Sequence, residues 1–399
     1  MQRGWSDGSR RHTLAVMTVA QLLADESFRQ SQFPVCAKKI FLGHAGVCPL
    51  PRRVVDAMAA YGEQCTLGDQ EDALAPGFES RTRAVAAGLI GAQPEEIALV
   101  GPTSLALSFV AGGLPWRRGD NVLVYLDDYP ANVYPWMALG ERGVQVRFLN
   151  VRQPGYIRLV DVQGQVDENT RLVALSSCHF STGWRLNVPA LGRWLRSRNI
   201  LFCLDAIQTL GAFPVRAVDV DFLAADAHKW LLGPCGAGIL FVKKELQERL
   251  RPMVYGWHNL RCPNFQTQTE MVFKPDARRY EAGTNGFLGL HGLCAAMELI
   301  QELTPEAIEF ELLRKRSWMV PALEAKGYAV LHSTAPPENA GAFFSFFRPG
   351  SDMPALHQRL MEAGVVTSLR SLPDTTKVIR VAPHVYNTDA ELHRLLELL

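Results

Sequence analysis

LFCLDAIQTLGAFPVRAVDVDFLAADAHKWLLGPCGAGILFV, residues 201–242, contains three short apolar runs, and the residues that close them decide the fold. LFCLD ends on Asp205, DFLAAD ends on Asp226, and GILFV follows a loop bearing Gly233 and Gly236. The runs are continuously apolar rather than alternating, which is the pattern of strands covered on both faces by helices. In such a sheet, loops beyond the carboxyl ends of parallel strands converge on one ligand crevice. Asp205, Gln208 and the His228–Lys229 pair all fall in those loops.

Upstream, the same pattern recurs in EIALV (96–100), NVLVYL (121–126), VQVRFL (144–149) and RLVALSS (171–177). With ILFCLD, DFLAAD and GILFVKK this predicts a mostly parallel seven-stranded sheet. VPALGRWLRSR (188–198) is one crossover helix, with its apolar residues near helical period. The span 45–286 is therefore expected to form a large α/β domain. Residues 293–327 read as helical, and Pro305–Glu306 marks a new helix start. Two further apolar runs, FFSFF (343–347) and KVIRVA (377–382), flank the helical stretch 353–364. Residues 287–399 are thus expected to form a small α+β domain, with 1–44 an N-terminal segment packing on it.

Composition excludes several classes. The 399 residues carry 41 basic and 40 acidic side chains, so nothing global draws the chain to nucleic acid or an anionic membrane. The eight cysteines include no C-x-x-C pair, so free thiols are expected, with no metal site and a reducing, cytoplasmic setting. LAVMTVAQLLA, preceded by two arginines, resembles a signal peptide superficially. It is too short to span a bilayer and lacks a convincing cleavage site, so it is expected to be a packed surface helix. The loop GPCGAG precedes a strand, not a helix, and no Walker A sequence occurs, which argues against dinucleotide or nucleotide binding.

Asp205 and Lys229 are a chemically meaningful pair. Burial or a nearby cation lowers a lysine pKa until the amine can form a Schiff base with an aldehyde. A carboxylate beside a pyridine nitrogen keeps that nitrogen protonated, so the ring withdraws electrons. Singly, Asp205 reads as a turn residue and Lys229 as a solvated lysine; their ordered combination favours chemistry.

The pattern DAIQ…DFLAADAHKWLLGPCGAG resembles the class V, cysteine-desulfurase-like branch of the fold-type I pyridoxal-phosphate enzymes. Matching segments run from FLGHAGVCPLP (41–51) to IRVAPHVYNT (379–388). The resemblance implies pyridoxal 5'-phosphate as cofactor, a small amino acid as substrate, and a homodimer with shared active sites. It also implies residue roles. Lys229 holds the cofactor and shuttles protons, Asp205 faces the pyridine nitrogen, and Gln208 meets the phenolic oxygen. His228, Thr103 and Ser104 surround the phosphate, a helix start and hydroxyls suiting an anion. Tyr129 stacks on the ring, and Ser181 lies in a loop that approaches the cofactor. Thr284, in RRYEAGTNG, reaches the phosphate of the other subunit. Arg380 clamps the substrate carboxylate, with His44 and Asn387 lining the substrate side.

Two departures stand out. The segment 363–380, where desulfurases of this branch carry a catalytic cysteine, contains none. Asp226 stands where relatives often place a phosphate-binding serine, and a carboxylate there should repel the anion. The expected activity is aminotransferase-like; a C–S or other β-elimination lyase is the close alternative, then an epimerase. A noncatalytic binding or scaffold protein is the non-enzymatic alternative, disfavoured by the joint presence of Lys229, Asp205 and Arg380.

Overall fold

The computed structural model describes residues 17–399. The first three residues of the apolar run preceded by two arginines, 14–16, lie outside the described residues. Its end forms a helix, Val19–Ala24, capped by Thr18 and burying Leu22. Among the described residues no helix is long and apolar enough to cross a membrane.

The strands, in chain order, are β1 (Ile40–Phe41), β2 (Ile97–Leu99), β3 (Asn121–Val124), β4 (Gln145–Phe148), β5 (Thr170–Ser176), β6 (Leu201–Asp205), β7 (Phe222–Asp226), β8 (Gly238–Val242), β9 (Ala329–Val330), β10 (Phe344–Phe347), β11 (Val365–Val366), β12 (Ser368–Ser371) and β13 (Lys377–Val381). All seven expected strands of the large sheet form, in the order β2-β8-β7-β6-β5-β3-β4. β3 to β7 run parallel to their neighbours within that set, and β8 is antiparallel to both β7 and β2. β7 and β8 are buried along their whole length, as continuous apolar runs require. Each large aliphatic or aromatic side chain so buried contributes roughly 1.5–3 kcal/mol. β4, at the sheet edge, is the exception: Gln145 and Phe148 are exposed and only its middle is half-buried.

The second sheet is antiparallel, ordered β12-β13-β10-β9. The apolar runs FFSFF and KVIRVA are its central strands. The two-residue β9 is too short to show a period. β12 is only half-buried, so its sequence carries a weak strand signal. β1 pairs in parallel with β11 as a separate two-stranded sheet, which ties the N-terminal segment to the chain just before β12.

The helix after residue 286, Phe287–Leu303, packs against the helix Arg52–Gln64, and its Leu293, Met297 and Ile300 share a core with Leu223 and Ile239. Thr304, at φ 61°, breaks the chain before Pro305–Ala325. Ile308 and Leu312 of that helix still belong to the large core, whereas Met319 and Leu323 pack with Phe346 and Ile379. The change of core thus falls inside this helix, beyond residue 287, because its two ends bury different faces.

Candidate active site

β6 and β7 end side by side, with Asp205 opposite Ala224 in register. The loops beyond them meet the start of the helix Thr103–Gly113 and the strands β12 and β13 of the second sheet. Between these elements lies a cavity of about 530 Å³. Its walls carry Lys229, Asp205, Gln208, His228, Thr103, Ser104, Tyr129 and Arg380, eight residues scattered over 278 positions of sequence.

Lys229 is 6% exposed, and burial brings its amine down to about 8, with Asp205 opposing and Arg380 and Arg370 adding to the fall. An amine at that level is neutral far more often near neutrality than an ordinary lysine, and its neutral fraction can act as nucleophile and base. Its Nζ lies 5.2 Å from the centre of the Tyr129 ring. Asp205 is pushed up to about 7, first by burial and then by the carboxylate of Asp128, against the Ile207 N–H at 3.0 Å and Lys229. Such a carboxylate is short of positive charge. Gln208 accepts from Trp230 Nε1 at 3.0 Å and donates to the Ala45 carbonyl at 3.1 Å, leaving one amide hydrogen for a ligand.

At the other end of the cavity the helix Thr103–Gly113 starts without a side-chain cap, because Pro102 occupies the cap position. Its first N–H groups therefore need an outside acceptor. The Thr103 hydroxyl accepts from the Asp226 N–H at 2.9 Å, which leaves its own proton to donate. Arg380, on β13, is 1% exposed and donates through Nη1 to the Phe180 carbonyl, while Nε and Nη2 are buried without partners. Burial, then Arg370, draws its guanidinium down to about 9. Two unpaired donors on one guanidinium match the two oxygens of a carboxylate.

Four expected residues lie elsewhere. Ser181 is buried with its hydroxyl 3.4 Å from His179 Nδ1, and its neighbour Phe180 reaches the cavity instead. His44 is fully buried between the Tyr386 hydroxyl (2.6 Å) and the Ala382 carbonyl (2.8 Å), so it fastens the N-terminal segment to the 382–386 turn rather than lining the substrate space. Asn387 accepts from the His384 N–H and donates to Glu391, which makes it a turn brace. Thr284 is exposed on a separate cavity of about 320 Å³, beside Gly283 and Leu99.

Two contributors were not anticipated. Asp128 accepts from Ser176 N and Oγ and from Tyr129 N, anchoring the turn that presents Tyr129. Arg370 lines the cavity beside Arg380. The register Ser368↔Arg380 and Arg370↔Val378 puts the two arginines on one face of the sheet, two positions apart on adjacent strands. The apolar run KVIRVA following SLRS by a short polar turn was the available signal, since a hairpin pairing fixes which side chains share a face.

The family model for aminotransferase class-V matches residues 40–395. The chain belongs to the class-V aminotransferase family. A probable cysteine desulfurase of Methanothermobacter thermautotrophicus is 28% identical over 387 residues, covering 92% of this chain and 95% of the relative. The uncharacterized aminotransferase YcbU of Bacillus subtilis is 28% identical over 315 residues, covering 77% and 80%. The fold of this class-V chain matches the apo cysteine desulfurase of Thermococcus onnurineus NA1 (TM-score 0.86, 23% identity, 96% and 98% of the two chains). It also matches the cystine C–S lyase C-DES in complex with its reaction product cysteine persulfide (TM-score 0.82, 23% identity, 92% and 98%).

Class-V enzymes are pyridoxal-phosphate-dependent, and the cavity fits that group. An uncapped helix start with hydroxyls suits the phosphate, an electron-rich buried carboxylate suits a ring nitrogen that carries a proton, and an amine eased toward its neutral form by burial suits an aldehyde. This class-V chain is therefore a pyridoxal-phosphate enzyme.

Proposed function

We propose that the chain is a lyase that breaks the Cβ–S bond of a small, cysteine-type amino acid bearing a second acidic group, with cystine as the type substrate. One observation carries this reading: Arg370 and Arg380 share a cavity with Lys229, and among the described residues no cysteine lines that cavity. The names of the relatives, desulfurases and a cystine lyase, support sulfur chemistry over the transamination that the sequence alone favoured.

Bound pyridoxal phosphate supplies an aldehyde for covalent capture by Lys229 and an electron-poor ring that stabilises negative charge at the substrate Cα. Asp205 would keep a pyridine nitrogen protonated, Tyr129 would pack against the ring, and Gln208 would offer its free amide hydrogen to a phenolic oxygen. Thr103, Ser104 and His228 would hold the phosphate. The exposed Thr284, on its glycine-bearing turn, fits a role in the neighbouring site of a homodimer. Arg380 grips the α-carboxylate with its two free donors, which fixes the Cα–H bond relative to Lys229. The Lys229 amine takes that proton. Arg370 binds the distal carboxylate. For cystine the overall change consumes one water and gives cysteine persulfide, pyruvate and ammonia. No enzyme thiol takes part, consistent with Cys48, the buried thiol facing the Gly233 carbonyl, being pushed up to about 12 by burial.

An amino-acid panel tests this. Cystine should release pyruvate and ammonia without any keto-acid acceptor. Turnover that needs a keto acid, and is fastest with aspartate, would replace the lyase by an aminotransferase. Arg370→Ala should lower kcat/KM for cystine by about 10–100-fold, while β-chloroalanine, which lacks the second acid, changes by less than about threefold. Arg380→Ala should raise KM for both substrates by roughly 100-fold, since it removes a doubly hydrogen-bonded ion pair. Unaltered saturation in that variant would take Arg380 out of the clamp.

A further inference from the structure

Asp226 closes β7, is 3% exposed, and lines the same cavity wall as Thr103 and His228. A carboxylate at the anion-binding end is the least expected residue of the site, because it repels a phosphate unless a donor stands between. Its oxygens are already engaged. Oδ1 accepts the Ala227 N–H at 2.7 Å, and Oδ2 accepts the Gly236 N–H at 3.3 Å. Oδ2 also lies 3.2 Å from His228 Nδ1, an ion-pair distance that is off the line of a hydrogen bond, so Nδ1 remains buried without a formal partner.

We propose that Asp226 is a positioning residue that acts on the bound phosphate through His228, by holding the imidazole with Nδ1 turned inward and Nε2 presented to the anion. This rests on the assignment of that end of the cavity to the cofactor phosphate. With the Asp226 carboxylate beside Nδ1 and a phosphate at Nε2, the imidazole ring stands between the two negative groups and separates one from the other. Asp226 also braces the surrounding loops. Its backbone N–H fixes the Thr103 hydroxyl as acceptor, and its side chain ties the chain at Gly236 to the end of β7. A Cβ on Gly101 would come within 2.5 Å of the Gly236 carbonyl oxygen, so the chain before Thr103 and the loop before β8 are in backbone contact.

The test is a double-mutant cycle on cofactor binding, with apoprotein titrated by pyridoxal phosphate and, separately, by pyridoxal, which lacks the phosphate. Asp226→Asn should weaken pyridoxal phosphate about tenfold and pyridoxal less than twofold. His228→Gln should do the same, and the double variant should be no worse than either single one, because both changes remove one device. Asp226→Ser, which trades the carboxylate for a hydroxyl donor, serves as the second probe if the asparagine variant does not fold; in the His228→Gln background it should change affinity by less than twofold. Tighter binding in Asp226→Asn would mean that the carboxylate only repels, and full additivity with His228→Gln would mean that it acts alone; either result overturns the proposal. Wild-type protein that binds the two compounds equally would instead overturn the phosphate assignment itself, so the two failures are distinguishable.

Discussion

Replacing Lys229 with alanine is expected to abolish multiple turnover, a fall of at least about 10⁴-fold, and to remove the long-wavelength absorbance of a lysine-bound cofactor. The expectation follows from geometry: among the described residues Lys229 is the only lysine on the cavity wall, so no second amine there can replace it as covalent anchor or as proton carrier. Folding should survive. The folded pKa of Lys229 lies below its ordinary 10.5, at about 8, chiefly through burial. The folded apoprotein therefore bears the cost of a buried ammonium below about pH 8, and that cost is relieved as pH rises toward 10.5. Alanine removes the cost, so the apo variant at pH 7 should melt no lower than the wild type beyond what the lost stem contacts subtract. Substantial multiple turnover in a cofactor-loaded, folded Lys229→Ala protein would contradict the assignment.

Asp205→Asn should lower kcat by about 10²–10⁴-fold while leaving the covalent attachment of cofactor in place, because asparagine cannot keep the ring nitrogen protonated. The same change should stabilise the apoprotein at pH 8. Asp205 has its folded pKa raised from 3.8 to about 7 by burial and then by Asp128. The stabilisation linked to its bound proton is present below about pH 4 and is lost as pH rises through about 7. Above that, the empty pocket holds a poorly compensated charge, which asparagine does not have. On the order of 1–3 kcal/mol is expected, seen as a higher Tm of the apo variant at pH 8 and a smaller difference at pH 4. Equal Tm at both pH values, together with unchanged kcat, would show that Asp205 is neither strained nor in contact with the ring.

The large sheet was legible because its strands are buried on both faces, so their apolar runs are continuous, and β7 and β8 needed no tertiary information. The residues closing β6 and β7 followed from the same reading. What the sequence hid was the part of the site built by hairpin register and turn geometry. Arg370 sits on β12, whose half-buried residues look like loop, and only pairing with β13 turns it toward Arg380. Asp128 and Tyr129 are adjacent, yet one faces inward to Ser176 and the other into the cavity. His44 and Asn387 were misplaced for the converse reason. Their motifs are close to the site in sequence, but the two ring nitrogens of His44 are taken by Tyr386 and Ala382, and Asn387 is held in the turn between His384 and Glu391. The change of core within Pro305–Ala325 left no mark either, since a helix with both ends buried against different partners has no single apolar stripe.

Borohydride reduction of the cofactor-loaded protein, followed by peptide mapping, tests the central assignment most directly. The account predicts a pyridoxyl-phosphate label confined to the peptide that carries Lys229. A label on Lys243, Lys274 or any other lysine, or none at all, would contradict it.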